Sequence, residues 1–221
     1  MPGPYEASED VDYGVRPPLQ QRSRQAWERT LAAGVELLRE GGYEAFTIAA
    51  VCERAAVPPR AIYARVDTKE ALFLAVYEHG LAQVREQIGQ VFDGMGPSGD
   101  VPWHMVGEVV HGIAEVFHRH EAFLKPVLLL SSTHPEVHRR GSAYSQELGE
   151  NFVALLQPLA SRLPHEDPLG ALRFCFGLIH SAVVMRTMYG PGFAVPAVPQ
   201  EQFQDSLADA AMRYLFSQSM E

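Results

Sequence analysis

Cysteine is nearly absent from this chain: Cys52 and Cys175 are the two in 221 residues. They lie far apart in sequence and both fall in apolar helical patterns. They read as small buried hydrophobes, not as a disulfide framework, a ligand pair or a nucleophile. Lysine is as scarce, two residues against sixteen arginines, which with plentiful alanine, glycine and proline points to a high-GC coding style. No apolar run approaches the eighteen or more residues of a membrane span. The N-terminus also lacks the basic-then-apolar layout of a signal peptide, so a cytoplasmic chain is expected. Gly-x-Ser-x-Gly, a Gly-rich phosphate loop, His-Glu-x-x-His and Cys-x-x-Cys are all missing. An enzyme is not expected, nor any cofactor.

Histidine is present but poorly spaced for a metal. His104, His111 and His118 recur every seven residues, about 10.5 Å apart along a helix, too far for neighbours to share one ion. His134 and His138 stand four apart with Glu136 between them, yet Pro135 begins a helix there, and no metal site is expected.

What is there is helix. The chain is 47% apolar, enough for one full core and a smaller satellite domain. Residues 1–20 are rich in proline, glycine and acids without periodicity, and predict a disordered leader that runs into basic Arg22 and Arg24 at the start of the first helix. A first helix is expected over 24–40, closed by Gly41-Gly42, and a fourth over 69–92, followed by a Gly/Pro loop at 94–99. Further helices are expected near 101–118, 121–132, 135–161, 167–189 and 200–219, with no strand-like alternation of useful length. The class is all-α, with about nine helices.

Residues 47–69 carry the strongest local signal. Thr47 is a natural N-cap, after which Ile48, Val51, Cys52 and Ala55 recur on one helical face. The chain must turn near Ala56-Val57. Pro58-Pro59 then open a second short helix, where proline costs no amide donor. In that helix Ile62 faces inward and Arg60 and Arg65 are free to face out. Thr68 caps the next helix. Two helices of this size need a third to pack on, and the upstream helix can supply it, giving a helix-turn-helix unit for the DNA major groove. Net charge is −9, but residues 21–69 hold eight Lys/Arg against six acids, so positive charge is local to the segment that would meet phosphate.

From about Gln25 to Leu72 the pattern resembles the DNA-binding domain of the TetR family of bacterial transcription regulators. The resemblance rests on residues 28–38, Gly42-Tyr43, Thr47, Ala55-Ala56-Val57, Ile62-Tyr63 and Lys69-Glu70-Ala71-Leu72. It implies that Thr47, Tyr63 and Lys69 contact phosphate, that Pro59 and Arg60 face bases beside Ala61, and that Arg65 serves either role. There are departures. Ala56 stands where the family usually has glycine, Pro58 replaces a serine cap, and Arg65 and Val66 replace histidine and phenylalanine.

The expected domains are therefore 1–20 as leader, 21–68 as the helix-turn-helix domain, and 69–221 as connector helix plus a ligand-binding and dimerisation domain. The helix at 167–189 is apolar nearly all round, which requires burial all round. With the last helix it would leave a large apolar surface exposed in a monomer, and pairing with a second copy would cover it as a four-helix bundle. Leu172, Phe176, Ile179, Val183, Phe203, Leu207, Ala211 and Tyr214 are the expected interface. Trp103, His111, Phe117, Tyr144, Arg173 and His180 are candidates for a small-molecule pocket among the helices. The expected function is a homodimeric repressor released from a palindromic operator DNA by a small, largely apolar effector. An activator or ligand-independent DNA-binding dimer is the alternative, and a helical carrier or small enzyme with a vestigial DNA motif a further one.

Overall fold

The computed structural model describes residues 21–94 and 104–217. Every regular element among them is helical, and they divide into two compact units between Leu81 and Ala82. The expected leader, the loop beyond Gly94, Trp103 and the last residues of the helix expected over 200–219 lie outside the described residues.

The first unit is built from α1 (Gln21–Ala45), α2 (Ile48–Ala55), α3 (Pro59–Tyr63) and the first half of α4 (Lys69–Asp93). The Gly-Gly pair does not end α1 outright. The helix breaks at Gly42, whose φ of 64° and ψ of −159° suit glycine alone, and resumes for one turn to Ala45. Thr47 Oγ1 then accepts from Ala50 N at 3.1 Å and caps α2. Phe46, Val51, Ile62, Val66, Leu72, Phe73 and Val76 are fully buried together with Leu38, so the small core draws on all four helices. Val66 fills the place expected for a larger side chain.

The turn between α2 and α3 is a Schellman closure. Val57 N donates to Cys52 O at 3.1 Å and Ala56 N to Glu53 O at 3.3 Å. That geometry requires a left-handed residue, and Ala56 takes it with φ 52° and ψ 49°. Among the described residues it is the one non-glycine with positive φ. The strain costs on the order of 1 kcal/mol relative to glycine.

The second unit holds the rest of α4 with α5 (Met105–Arg119), α6 (Glu121–Leu130), α7 (Pro135–Leu156), α8 (Pro168–Tyr189) and α9 (Gln200–Phe216). The expected long helix from 135 stops at Leu156. A 3-10 segment, Gln157–Arg162, follows, because Pro158 has no N–H with which to continue the α ladder. α5 packs most extensively on α9, and α8 is laid against α5, α6, α7 and α9. By length and composition α8 could cross a membrane, although Arg173, His180 and Arg186 interrupt its apolar run. Here Leu172, Cys175, Phe176, Ile179 and Val183 are buried in the unit's core. Burial pushes the Cys175 thiol up to about 12 and raises that of Cys52, leaving both as inert packing groups.

Candidate nucleic-acid interface

Local rules place the expected DNA contacts. α3 is too short to choose its own orientation, so Ile62, fully buried, pins it to the core and turns the rest outward. Pro58 precedes the helix without a side-chain cap and Pro59 occupies its first turn, as the sequence requires. Pro59 and Arg60 are exposed, Ala61 is half-buried, and Tyr63 is 49% exposed. No described residue pairs with the Arg60 guanidinium or the Tyr63 hydroxyl, so both are available to a ligand in water. Thr47 is also exposed, although its hydroxyl is already used as the α2 cap. Arg65 differs. It is half-buried, and its Nη2 donates to Ser23 Oγ of α1, which ties the α3–α4 turn back to the start of the domain.

Two further links fix α2. Arg54 makes a two-pronged ion pair with Glu40 of α1 at 2.8 and 2.7 Å, and Arg29 Nε donates to Ala55 O at 3.4 Å. The Arg54 hydrogen bond lowers the carboxyl pKa of Glu40. At the start of α4, Thr68 Oγ1 accepts from Ala71 N at 3.0 Å. Lys69 stands next, half-buried, with its ammonium 4.4 Å from the centroid of the Tyr43 ring. Arg22 and Arg24 occupy the first turn of α1 and are exposed. The surface thus offers arginine forks, one lysine and hydroxyls, a donor-rich set suited to phosphate and base edges.

The second unit scatters the expected pocket residues. His111 pairs with Asp205 at 3.2 Å between α5 and α9, and Arg173 is exposed beside Glu150 at 3.5 Å. Tyr144 is buried beneath the Arg85 guanidinium, 4.9 Å from its ring centroid. His180 lies against Phe117 and Phe176, with centroids 6.1 and 5.5 Å away, and burial lowers its pKa. Of the described candidates, Phe117 alone lines the cavity found between α5, α8 and α9. This cavity of about 70 Å³, partly open to solvent, is also bounded by His118, Glu121, Arg186, Thr187 and Gln200. Sequence reasoning missed that polar set. The available signal was Arg186, a cation inside an apolar helix, which donates to Gln200 Oε1 and Val198 O and lies over the Phe203 ring. His134, considered for metal, instead caps α7, its Nδ1 accepting from Val137 N.

The expected interface residues also separate. Leu172, Phe176, Ile179, Val183 and Ala211 belong to this chain's own core, while Phe203, Leu207 and Tyr214 are half-exposed. The outward face of α8 carries Phe174, Leu178, Met185 and Tyr189, each about half exposed, and Phe174 meets Tyr214 of α9 at 5.2 Å.

Residues 31–76 match the family model described as bacterial regulatory proteins, tetR family. No curated protein matches the chain. Solved structures with the same fold include a candidate TetR-family transcriptional regulator from Mesorhizobium loti MAFF303099, 16% identical with a TM-score of 0.70. The match covers 87% of this chain and 98% of that one. SCO4454, a TetR-family transcriptional regulator from Streptomyces coelicolor, is 18% identical with a TM-score of 0.62 over 88% and 97% of the two chains. The TetR-family regulator PfmR from Thermus thermophilus is 19% identical with a TM-score of 0.59 over 84% and 97%. The chain therefore carries, in its N-terminal unit, the helix-turn-helix segment of the bacterial regulatory proteins of the tetR family, on a fold it shares with TetR-family regulators along most of its length.

Proposed function

We propose that this protein is a DNA-binding transcription regulator that acts as a homodimer on a palindromic operator. The observation that carries this reading is the outward presentation of Arg60 and Tyr63 from a short, proline-opened helix whose other face is buried through Ile62. Arg60 reads a base edge, while Tyr63, Lys69 and Thr47 fix the register on phosphates. Two copies place their α3 helices in half-sites about one helical turn, or a multiple, apart. The outward apolar stripe of α8, with Leu207 and Tyr214 of α9, is the surface two copies cover in a four-helix bundle.

A small, largely apolar molecule entering the second unit is the natural effector, and release from DNA its effect, which makes the protein a repressor. The helix α4 contributes to both units and is the covalent route by which occupancy reaches α3. Such control is a population shift: the effector favours a half-site spacing that no longer fits the operator. The protein then works in the cytoplasm, where its DNA is. Gel retardation with the DNA upstream of its own coding region tests the reading. A band shifted at protein concentrations that leave random duplex free is expected; equal affinity for both contradicts it.

A further inference from the structure

Lys69 stands where helix electrostatics oppose it. It opens α4, and the unpaired amides of a first helical turn carry partial positive charge that repels an ammonium. A long, flexible side chain in that position gains nothing by staying near the helix unless something else holds it. The Tyr43 ring does so. Its centroid is 4.4 Å from Lys69 Nζ, a distance at which the negative face of the ring attracts a cation.

The ring is itself held on two further sides. Phe73 of α4 meets it edge-on at 4.8 Å, with the ring planes at 78°. The Tyr43 hydroxyl donates to Glu70 Oε2 at 3.3 Å, and burial and then the Glu70 carboxylate raise its pKa. The break at Gly42, with φ 64°, delivers Tyr43 from the end of α1 to this place. A tyrosine carried by one helix therefore forms a shelf under the first lysine of another, 26 residues on.

We infer that Tyr43 is a positioning residue for DNA binding, holding the Lys69 ammonium over its ring so that a phosphate contact costs little further ordering of the lysine. This rests on the reading of Lys69 as a phosphate contact. Tyr43 itself touches no DNA in this scheme. Its hydroxyl steadies the ring through Glu70, and the ring steadies the cation.

The scarcity of lysine makes the contact directly observable. With two lysines in the chain, Lys69 and Lys125, lysine labelled with 13C at the ε position gives two signals. Ring current is expected to move the Lys69 ε-methylene protons upfield in the free protein; Tyr43→Leu abolishes that displacement and Tyr43→Phe keeps it. Affinity for the upstream duplex is then measured for Tyr43→Leu with and without Lys69→Ala. In the wild-type background Tyr43→Leu is expected to weaken binding about two- to fivefold, and Tyr43→Phe, which keeps the ring but loses the Glu70 bond, to recover most of that loss. In the Lys69→Ala background Tyr43→Leu is expected to change nothing more. Equal losses in both backgrounds overturn the inference, because Tyr43 then supports the domain and not the lysine. Absence of the upfield displacement overturns it as well. A wild-type protein that shows the displacement but binds no duplex brings down the DNA reading itself, and this inference with it.

Discussion

Gly34 of α1 approaches Val76 of α4 so closely that a Cβ added at position 34 would stand 2.5 Å from Val76 Cγ2 and 3.1 Å from the Phe46 ring. The contact seats α4 against the helix that supports α2 and α3. Gly34→Val is expected to destabilise the first unit by about 1–3 kcal/mol through overpacking. Chemical denaturation of the variant checks this, and an unchanged midpoint would mean that Val76 swings aside without cost.

Ala56→Gly should act in the opposite sense. The left-handed turn is already made, with its Schellman hydrogen bonds in place, so glycine removes strain without altering a contact. A gain of about 0.5–1 kcal/mol is expected. Thermal unfolding of the two proteins side by side measures it. A loss of stability would show that the alanine methyl contributes packing that outweighs its strain.

The turn was legible because its causes are local. Thr47, Pro58-Pro59 and Thr68 act on backbone within three residues, whereas a left-handed residue at Ala56 was suggested by the resemblance, which puts glycine there. The faces of α8 were not legible for the opposite reason. A helix apolar all round has no periodic signal, so nothing local separates Phe176, which is buried, from Phe174, which is 55% exposed. Contacts between distant residues, such as Tyr43 with Lys69 or Arg65 with Ser23, leave no trace in spacing. The cavity wall fails in the same way: Arg186 and Gln200 meet only because α8 and α9 are folded together.

The two faces of α8 should respond differently to charge. Leu178→Glu places a carboxylate on the outward stripe, where a folded monomer is the expected product. Leu172→Glu places it in a fully buried site, and loss of folded protein is expected instead. Sedimentation of the soluble species distinguishes the cases. A Leu178→Glu protein that sediments as an unchanged dimer contradicts pairing through this face.

His180 makes the second unit sensitive to acid. Burial holds its folded pKa below the usual 6.5, so over that interval the unfolded chain binds a proton that the folded one refuses. Its contribution is complete above about pH 6.5 and lost as pH falls towards the lower folded value. His79 is shifted in the same direction, by burial partly opposed by Glu28, and remains as a background in both proteins. His180→Phe should therefore flatten the fall in melting temperature between about pH 7.5 and 5 without abolishing it. Parallel curves for the two proteins would contradict this.

The reading of α3 as a helix that recognises sequence is tested most directly by titrating operator and random duplexes with wild type, Arg60→Ala and Lys69→Ala over a range of salt. Lys69→Ala is expected to weaken both duplexes alike and to reduce the salt slope by about 0.9. Arg60→Ala should cost about 1–3 kcal/mol on the operator, relax preference at one base pair per half-site, and leave random duplex nearly unaffected. If Arg60→Ala lowers operator and random binding by the same factor as Lys69→Ala, Arg60 is one more phosphate contact and α3 does not read bases through it.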